Sequence, residues 1–185
     1  MKYAYDDIMP IAYTLKALLA PGCQKIEIAG SLRRQSPTVK DIEIVAQPTM
    51  LPIDTLFGDI YGYASALDPI LADLASRNIL STAGKNGERY KQLKVRGKVG
   101  PDLDLFIVRP PAQWGVIFTI RTGPAEFSRR LVTPRKHGGL LPSHLHVKDG
   151  AVRYDAAPRK IIETPTETAL FELLGIDWIP PEERQ

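Results

Sequence analysis

Hydrophobic and polar residues alternate with two different periods along the first half of the chain. Apolar residues at helical spacing predict helices over residues 5–20 and 63–78. A period of two predicts strands, in which successive side chains point to opposite faces. The predicted strands are residues 25–29, 41–46, 79–82, 90–95 and 102–108, with a turn at residues 84–87. Between residues 48 and 62, prolines and glycines interrupt any long element, and only residues 53–57 favour a helical turn.

The second half begins at Pro110 and Pro111, which predict a domain boundary. Helices are predicted over residues 112–121, 124–132 and 166–174, and Asp149-Gly150 predicts a hairpin turn. We therefore expect an α+β fold with two domains, residues 1–109 and 110–185.

Length and composition are those of a globular protein. The chain has 185 residues, of which 44% are hydrophobic and 24% charged. Its first residues lack the basic start and apolar core of a signal peptide, and no run approaches the length of a membrane span. Cys23 is the single cysteine, which excludes an internal disulfide and a cysteine zinc cluster. We therefore expect a soluble protein of the reducing cytoplasm, without membrane contact.

The distribution of charge is more informative than the net charge of +3. Six basic residues against one acid lie between Lys85 and Lys98, and five against one lie between Arg121 and Lys136. The C-terminal segment, by contrast, is acidic. Because basic clusters neutralise phosphates, this distribution favours contact with nucleic acid through the middle of the chain. The alternative is that both clusters are solvated surface.

The segment from residue 26 to residue 46 carries the candidate chemistry. Gly30-Ser31 ends one predicted strand and opens a short basic helix, where free N–H groups and a hydroxyl are suited to phosphate. Asp41 and Glu43 follow on one face of the next strand. Carboxylate oxygens are the ligands of hard divalent cations. Together these features favour a phosphate-plus-metal site over a solvated turn and strand edge.

A third carboxylate comes from the strand at residues 102–108. Asp102 and Asp104 share one face of it, so either is able to reach the face that carries Asp41 and Glu43.

The three histidines, His137, His144 and His146, lie in a stretch broken by glycine and proline. His144 and His146 share a strand face, but no acid or cysteine accompanies them at a suitable spacing. We interpret them as surface or hairpin histidines rather than metal ligands.

The order of the motifs resembles the nucleotidyltransferase superfamily, in which Gly-Ser precedes Asp-x-Asp or Asp-x-Glu. More closely, GSLRRQSPTVKDIEIV is similar to the palm of family X DNA polymerases, the polymerase beta group. This resemblance implies a palm made of a mixed β-sheet with helices on one face, followed by a small α/β thumb. It implies that Asp41, Glu43 and Asp104 are the catalytic metal ligands, with Asp102 as the alternative third ligand. Glu43 departs from the aspartate usual in the family.

The segments WGVIFTIRTGPAEFSRRL and TETALFELLGIDWIPPEERQ resemble the entrance and the end of the family's thumb. Thr122-Gly123 is retained, whereas the family's aromatic pair is replaced by Ile120-Arg121, at the place where the sugar of the nucleotide is selected. Only one helix precedes the palm, so the lyase domain and fingers of larger members are expected to be absent. The resemblance implies that the nucleotide and its pyrophosphate contact the following residues: Gly30, Ser31, Arg34, Ile120, Arg121, Thr122 and Gly123.

The activity implied by the resemblance is phosphoryl transfer with two Mg²⁺ ions, for which Mn²⁺ substitutes. The expected partners of the monomeric chain are nucleoside triphosphates and DNA, as a primer-template or gapped duplex. The expected DNA contacts are Arg89, Lys91, Lys94 and Arg96. The implied function is that of a minimal family X DNA polymerase in gap filling or repair. Two alternatives stay open: a transferase that needs no template or uses an acceptor other than DNA, and an inactive nucleic-acid-binding remnant.

Overall fold

The computed structural model describes residues 1–54, 59–96 and 100–184. The chain divides into two compact units. The first unit comprises Met1–Ile28 and Thr38–Ile107, and the second comprises Ala29–Pro37 and the chain from Val108 onward. The short segment Ala29–Pro37 therefore groups with the second unit, although strands of the first unit flank it in sequence. The division into domains at residues 109 and 110 stays a prediction.

The structure is a mixed α+β fold, as predicted. The described strands are β1 (Tyr3–Ala4), β2 (Cys23–Ile28), β3 (Thr38–Val39), β4 (Ile42–Pro48), β5 (Met50–Asp54), β6 (Ile60–Ser65), β7 (Leu80–Asn86), β8 (Tyr90–Val95), β9 (Leu103–Ile107), β10 (Leu145–Lys148), β11 (Ala151–Tyr154) and β12 (Ile161–Ile162). The described helices are α1 (Tyr5–Leu19), α2 (Gly30–Arg33), α3 (Leu67–Ser76), α4 (Trp114–Thr122), α5 (Ala125–Val132) and α6 (Glu167–Leu174). In the described part of the chain, no helix has both the length and the apolar character needed to cross a membrane.

The first unit is built on a mixed five-stranded sheet in the order β2-β4-β9-β8-β7. β4 and β9 run parallel, whereas the other neighbouring strands are antiparallel. A parallel pair cannot be joined by a tight turn, and the connection from β4 to β9 accordingly carries β5, β6, α3, β7 and β8.

The two faces of this sheet differ near the start of its central strands, where each strand has one acid between apolar residues. The apolar face includes the fully buried residues Ile42, Ile44, Leu103 and Leu105. Helix α1 lies on this face, since Leu15 of α1 lines the same cavity as Val95 of β8, and α3 contacts both α1 and β7. Glu43 and Asp104 lie on the opposite face and are partly exposed.

A separate hairpin of β5 and β6 follows the sheet's β4 strand. The prediction of a helical turn over residues 53–57 is wrong at Ile53 and Asp54, which belong to β5. Residues 55–57 lie outside the described residues. The β-branched and apolar residues of this segment are paired with β6, and this pairing outweighs the local preference for a turn.

The predicted helix over residues 63–78 is wrong at its start. Residues 63–65 belong to β6, and α3 begins at Leu67. Ser65 Oγ accepts a hydrogen bond from the Leu67 N–H at 3.2 Å, and the Ala66 N–H donates to the Thr49 carbonyl at 2.9 Å. These bonds give partners to main-chain donors at the change from strand to helix, which fixes the boundary.

The turn between β7 and β8 lies later than predicted. β7 continues through the predicted turn as far as Asn86, and the Gly87 N–H donates to the Tyr90 carbonyl at 2.8 Å. Pairing between the strands is irregular between Thr82 and Asn86. The glycine in this stretch therefore marks an irregularity within the strand rather than its end.

The second unit packs three helices against a small antiparallel sheet in the order β10-β11-β12. Its helices α4, α5 and α6 confirm the three predicted helices, and the predicted hairpin turn joins β10 to β11. Each of these elements contributes to one hydrophobic core, which comprises Val116, Phe127, Leu131, Leu141, Leu145, Val152, Leu170, Phe171 and Leu174.

Gly115, in the first turn of α4, allows that helix to lie directly against the chain that precedes α6. Its N–H donates to the Thr164 carbonyl at 2.9 Å, and a Cβ atom here would overlap the carbonyl oxygen of Thr166. Because a paired backbone cannot move aside as a flexible side chain does, we expect Gly115→Ala to lower the free energy of unfolding by about 3 kcal/mol. Urea unfolding followed by circular dichroism measures this loss.

The matched control is Gly62→Ala, since no atom lies within 4 Å of a Cβ atom built there. Its expected effect is within about 1 kcal/mol, because alanine only restricts the unfolded chain. Equal losses in the two variants would contradict the packing role of Gly115.

Candidate active site

Two carboxylates lie opposite each other on neighbouring parallel strands. Glu43 of β4 is in register with Asp104 of β9. Residues in register share a face, and the two strands are about 4.8 Å apart, so both side chains project to the same side of the sheet. That side is the one away from α1 and α3, where both residues are partly exposed. The arrangement suits a hard divalent cation, which takes oxygen ligands.

Asp41 and Asp102 continue this pairing at the start of both strands. Asp41 immediately precedes β4, and Asp102 immediately precedes β9. The Ile42 N–H donates to the Asp102 carbonyl at 2.9 Å, so the main chain of Asp102 lies against the beginning of β4. The choice of Asp104 over Asp102 as third ligand stays a prediction.

Asp104 has a partner that the sequence analysis missed. The Tyr90 hydroxyl donates to Asp104 Oδ1 at 2.7 Å, and the Tyr90 ring stacks on Phe106 with 5.0 Å between ring centroids. Both contacts follow from the antiparallel register of β8 and β9, which sets Tyr90 opposite Phe106. A hydrogen bond of this kind fixes the orientation of a carboxylate. The alternation of β8 was the signal that could have found Tyr90. It places Tyr90 on the same face as Gln92, which is in register with Asp104 on the neighbouring strand.

The three predicted metal ligands do not form a closed cluster. Within residues 1–54, 59–96 and 100–184, no three acidic, histidine or cysteine side chains lie close enough together to hold a metal ion. The strand register brings together Glu43 and Asp104, and Asp104 is bonded to Tyr90. Carboxylate oxygens are suited to a hard cation, and the strand register places two of the carboxylates, those of Glu43 and Asp104, side by side.

The predicted phosphate-binding turn is held in place by a buried threonine of the second unit. Gly30 begins α2 with a φ of 61°, a left-handed conformation that glycine adopts without strain. Arg34 Nη1 donates to the Thr122 carbonyl at 2.5 Å, and Arg33 Nη1 donates to Thr122 Oγ1 at 2.7 Å. The structure therefore brings Arg34 and Thr122, both predicted, into contact. Ser31 lies beside them in α2 and is partly exposed.

The other predicted residues of the thumb entrance lie at the end of α4. The Ile120 carbonyl accepts a hydrogen bond from Ser128 Oγ at 2.7 Å, which ties α4 to α5. Arg121 is exposed in the last turn, and Gly123 follows the helix as its C-cap. A Cβ atom on Gly123 would collide with the ring of Phe127, so the glycine permits the close turn into α5.

A buried ion cluster around Glu167 was also missed. Glu167 accepts two hydrogen bonds from Arg33, from Nη1 at 2.8 Å and from Nη2 at 2.6 Å, and a third from Arg184 Nη1 at 2.8 Å. The guanidinium of Arg33 also lies 3.9 Å from the centroid of the Phe118 ring. Arg33 and Glu167 are 134 residues apart in the chain, so no local pattern indicates that they pair.

The pKa of the Glu167 carboxyl is set by opposing effects. Burial alone would raise this pKa, because it removes water from the charged form. The hydrogen bonds and positive charges of Arg33 and Arg184 outweigh burial, so the pKa of Glu167 lies below its usual value. The carboxyl group is therefore held in its ionised form.

The predicted DNA-binding lysines lie on opposite faces of β8. Gln92 is in register with Asp104, so Lys94, two residues further, shares the face of the carboxylates. Lys91 is in register with the buried Leu105 and belongs to the other face. The two lysines therefore do not form one surface.

The remaining basic residues flank β8. Arg89 precedes the strand and Arg96 follows it, and both are exposed. Arg96 Nε donates to Ser81 Oγ at 3.1 Å, and Lys91 Nζ donates to Asn86 Oδ1 at 2.8 Å.

The histidines lie as interpreted, at or near the β10–β11 hairpin and largely at the surface. His146 Nδ1 lies 2.8 Å from Asp155 Oδ1, and the His144 ring stacks on Tyr154. His137 is exposed in a short 3₁₀ turn after α5.

The stability that the Glu167 cluster contributes should depend on pH in the acid range. The pKa of Glu167 is lower in the folded chain than in the unfolded chain, where a glutamate has a pKa of about 4.3. The contribution is therefore complete above that value and is lost as the pH falls through the folded pKa. We expect Glu167→Gln to lower the free energy of unfolding by about 3 kcal/mol at neutral pH, because two arginines lose their buried partner.

The effect of Glu167→Gln should shrink as the pH falls through the folded pKa of Glu167, which lies below its usual value, because the protonated carboxyl resembles the amide. Urea unfolding of both proteins at neutral and acid pH measures it. Glu126→Gln is the control, since Glu126 also pairs with an arginine, Arg129, but at the exposed surface of α5. An effect of Glu167→Gln that is the same at both pH values would contradict the prediction.

Two comparisons with known proteins find similarity to DNA polymerases. Residues 118–185 match the family model of the DNA polymerase beta thumb. DNA polymerase lambda of Rattus norvegicus is 25% identical over 169 residues, which cover 84% of this chain. The chain spans 28% of the length of that relative. The chain is therefore similar to family X DNA polymerases, and its residues 118–185 match the thumb of DNA polymerase beta.

Proposed function

We propose that this chain is a metal-dependent nucleotidyltransferase that adds nucleotides to a primer 3′-OH, as a minimal family X DNA polymerase acting as a monomer in gap filling or repair. The observation that carries the proposal is the parallel register of Glu43 and Asp104. It places two partly exposed carboxylates on one face of the sheet, in a chain whose C-terminal part matches a polymerase thumb.

The proposed roles of the residues follow from their chemistry. Asp41, Glu43 and Asp104 would hold Mg²⁺, or Mn²⁺ in its place, which when bound activates the attacking hydroxyl and neutralises the leaving pyrophosphate. Tyr90 would orient Asp104 through its hydroxyl. Carboxylates on adjacent strands need little reorganisation to meet a cation, because the sheet fixes their backbones.

The phosphates of the nucleoside triphosphate would be bound by Ser31 and Arg34. Arg34 has a planar guanidinium, whose paired donors match the oxygens of a phosphate. Its hydrogen bond to the Thr122 carbonyl restricts its orientation. Gly30, Ile120, Arg121 and Gly123 complete the proposed contacts with the nucleotide.

An inactive nucleic-acid-binding protein is the second candidate function. It is favoured by the pairing of Asp104 with Tyr90 and by the finding that no three ligand side chains group together among the described residues. A transferase without a template, or with another acceptor, uses the same carboxylates. Primer extension separates templated synthesis, which needs the gapped duplex, from addition without a template, which also extends a single-stranded primer.

Alanine substitutions of the carboxylates test the proposed reaction. We expect Asp41→Ala, Glu43→Ala and Asp104→Ala each to lower the incorporation rate by roughly 10³-fold, since charge neutralisation supplies several kcal/mol of the transition-state stabilisation. Asp102→Ala should be milder. The assay is primer extension on gapped DNA with Mg²⁺ or Mn²⁺ and single nucleotides.

The control for these substitutions is Asp177→Ala, which removes an exposed acid near the C-terminal end of the second unit. It should leave the rate unchanged. An inactive Asp102→Ala beside an active Asp104→Ala would show that Asp102 is the third ligand. A wild-type chain that binds DNA but incorporates nothing would favour the inactive function.

The positions of the two lysines on β8 give a matched test of DNA binding. Lys94 lies on the carboxylate face, so Lys94→Ala should weaken binding similarly for unrelated DNA sequences and reduce the salt slope of binding by about 1. Lys91→Ala removes the same charge from the opposite face and should change the slope less. Fluorescence anisotropy with a gapped duplex at several salt concentrations measures both. Equal changes would indicate that the face of the sheet does not matter.

A further inference from the structure

We propose that β6 is a docking site for another protein, which adds an extended segment of alternating apolar and basic residues to the β5–β6 hairpin as a third strand. The inference goes beyond the proposed function and does not rest on it. The hairpin contributes none of the residues assigned to the carboxylate site, the nucleotide or the DNA.

Exposed apolar side chains are concentrated in this hairpin. Nine large hydrophobic residues are exposed in the described part of the chain, and five of them belong to β5 and β6, namely Leu51, Ile53, Ile60, Tyr61 and Tyr63. Single exposed apolar residues are normal on a protein surface, whereas a contiguous group of them marks an interaction site. The strand pairing makes this group contiguous, so the hairpin is suited to being covered.

The outer edge of β6 is the one able to accept a further strand. In the described chain β6 pairs with β5 alone, so the main-chain groups on its other side are directed away from the hairpin. The β5 strand contains Pro52, which has no N–H to donate, whereas β6 contains no proline. A two-stranded hairpin is only marginally stable in water, so a third strand on β6 would also stabilise it.

The side chains on one face of the hairpin leave space for apolar residues of the added strand. Gly62 is in register with Ile53 and Ala64 with Leu51, so the small residues of this face lie on β6 and the large ones on β5. No atom lies within 4 Å of a Cβ atom built on Gly62. An added strand beside β6 would therefore place apolar side chains over this glycine and alanine, against the exposed apolar residues of β5.

The other face favours basic residues in the partner. Tyr63 lies on that face opposite Pro52, and Tyr61 lies two residues earlier, where the pairing of the strands is irregular. The faces of exposed tyrosine rings attract the cations of lysine and arginine. Because successive residues of a strand point to opposite faces, a segment of alternating apolar and basic residues satisfies both faces of the hairpin.

The charge of the hairpin agrees with a basic partner and disfavours other occupants. The sequence has no lysine, arginine or histidine between Asp41 and Ser76, whereas the hairpin region carries Asp54 and Asp59. Nucleic acids and anionic membranes bind through cations, which this region lacks. A second copy of the chain would bring the same acids together and supply no cation. A basic segment, by contrast, is attracted by this charge.

The test uses the full chain and two labelled synthetic peptides of equal length, one alternating valine with arginine and one alternating valine with glutamate. We expect the valine–arginine peptide to bind at least about tenfold more tightly in fluorescence anisotropy, because its charge is complementary. Hydrogen exchange measures where it binds. The main-chain amides of β6 that point away from β5 should exchange about tenfold more slowly when the peptide is bound.

Variants at exposed positions test the same face without disturbing a core. Tyr63→Ala and Asp54→Lys should each weaken binding of the valine–arginine peptide about fivefold, through loss of the ring and reversal of the charge. Tyr13→Ala is the matched control, since Tyr13 of α1 is 57% exposed and Tyr63 is 62% exposed. It should leave peptide binding unchanged. All three variants should retain the wild-type rate of nucleotide incorporation.

Four results would overturn the inference. The first is equal affinity for the two peptides, and the second is unchanged exchange in β6. The third is an equal loss from Tyr63→Ala and Tyr13→Ala, which would show a contact that does not depend on the hairpin. The fourth is a Tyr63→Ala variant that dissociates a wild-type dimer or loses affinity for a gapped duplex, which would assign this face to a second copy or to DNA.

Discussion

The parallel pairing of β4 with β9 is the contact on which the first unit depends. It joins the antiparallel pair of β2 and β4 to the run of β9, β8 and β7, and so makes one sheet of two pieces. The same register that buries Ile44 beside Leu105 sets Glu43 beside Asp104 on the reverse side. The core and the candidate site therefore lie on opposite faces of the same pair of strands. A shift of one residue in the register of a strand would turn its acid toward the core and its apolar residues toward the other face.

In the second unit, the corresponding constraint is electrostatic. The cluster around Glu167 connects α2, α4, α6 and the chain near Arg184, elements that are distant in sequence. Apolar packing gives this unit its core, but packing is not directional. The charged hydrogen bonds specify how the basic turn is oriented against that core. Any other orientation would leave a buried charge without its partner, which is strongly destabilising.

The periodicity of the sequence predicts the regular elements because their residues face either core or solvent. The strand that bears Glu43, the strand that bears Asp104 and the helices of the second unit were all predicted on this basis. The hairpin of β5 and β6 was missed because its strands are exposed and lack a buried stripe, as the exposed side chains of Leu51 and Tyr63 show. Local pattern then carries little information about structure.

For the candidate site, the residues with chemical roles could be predicted better than the contacts between them. Its acids and glycines could be predicted because their types and spacing indicate chemistry. The alternation of β8 indicates the face of Tyr90, but its bond to Asp104 depends on the register with β9, and Arg33 pairs with Glu167 although the two residues are far apart in the chain. The alternation of β8 sets its two lysines on opposite faces, and the pairing with β9 shows which of them shares the face of the carboxylates.

The crossover between β4 and β9 also bears on how the chain folds. The pairs β2–β4, β5–β6 and β7–β8–β9 each join strands that are near in sequence, so closing them costs little chain entropy. The pairing of β4 with β9 closes a far longer loop, and contacts of that kind slow the folding of a domain. The two carboxylates meet on this pairing, which joins the described sheet strands farthest apart in sequence. A chain in which β4 and β9 were not paired would have a sheet edge at β4 and no paired acids, so the carboxylate pair exists only where the sheet is complete.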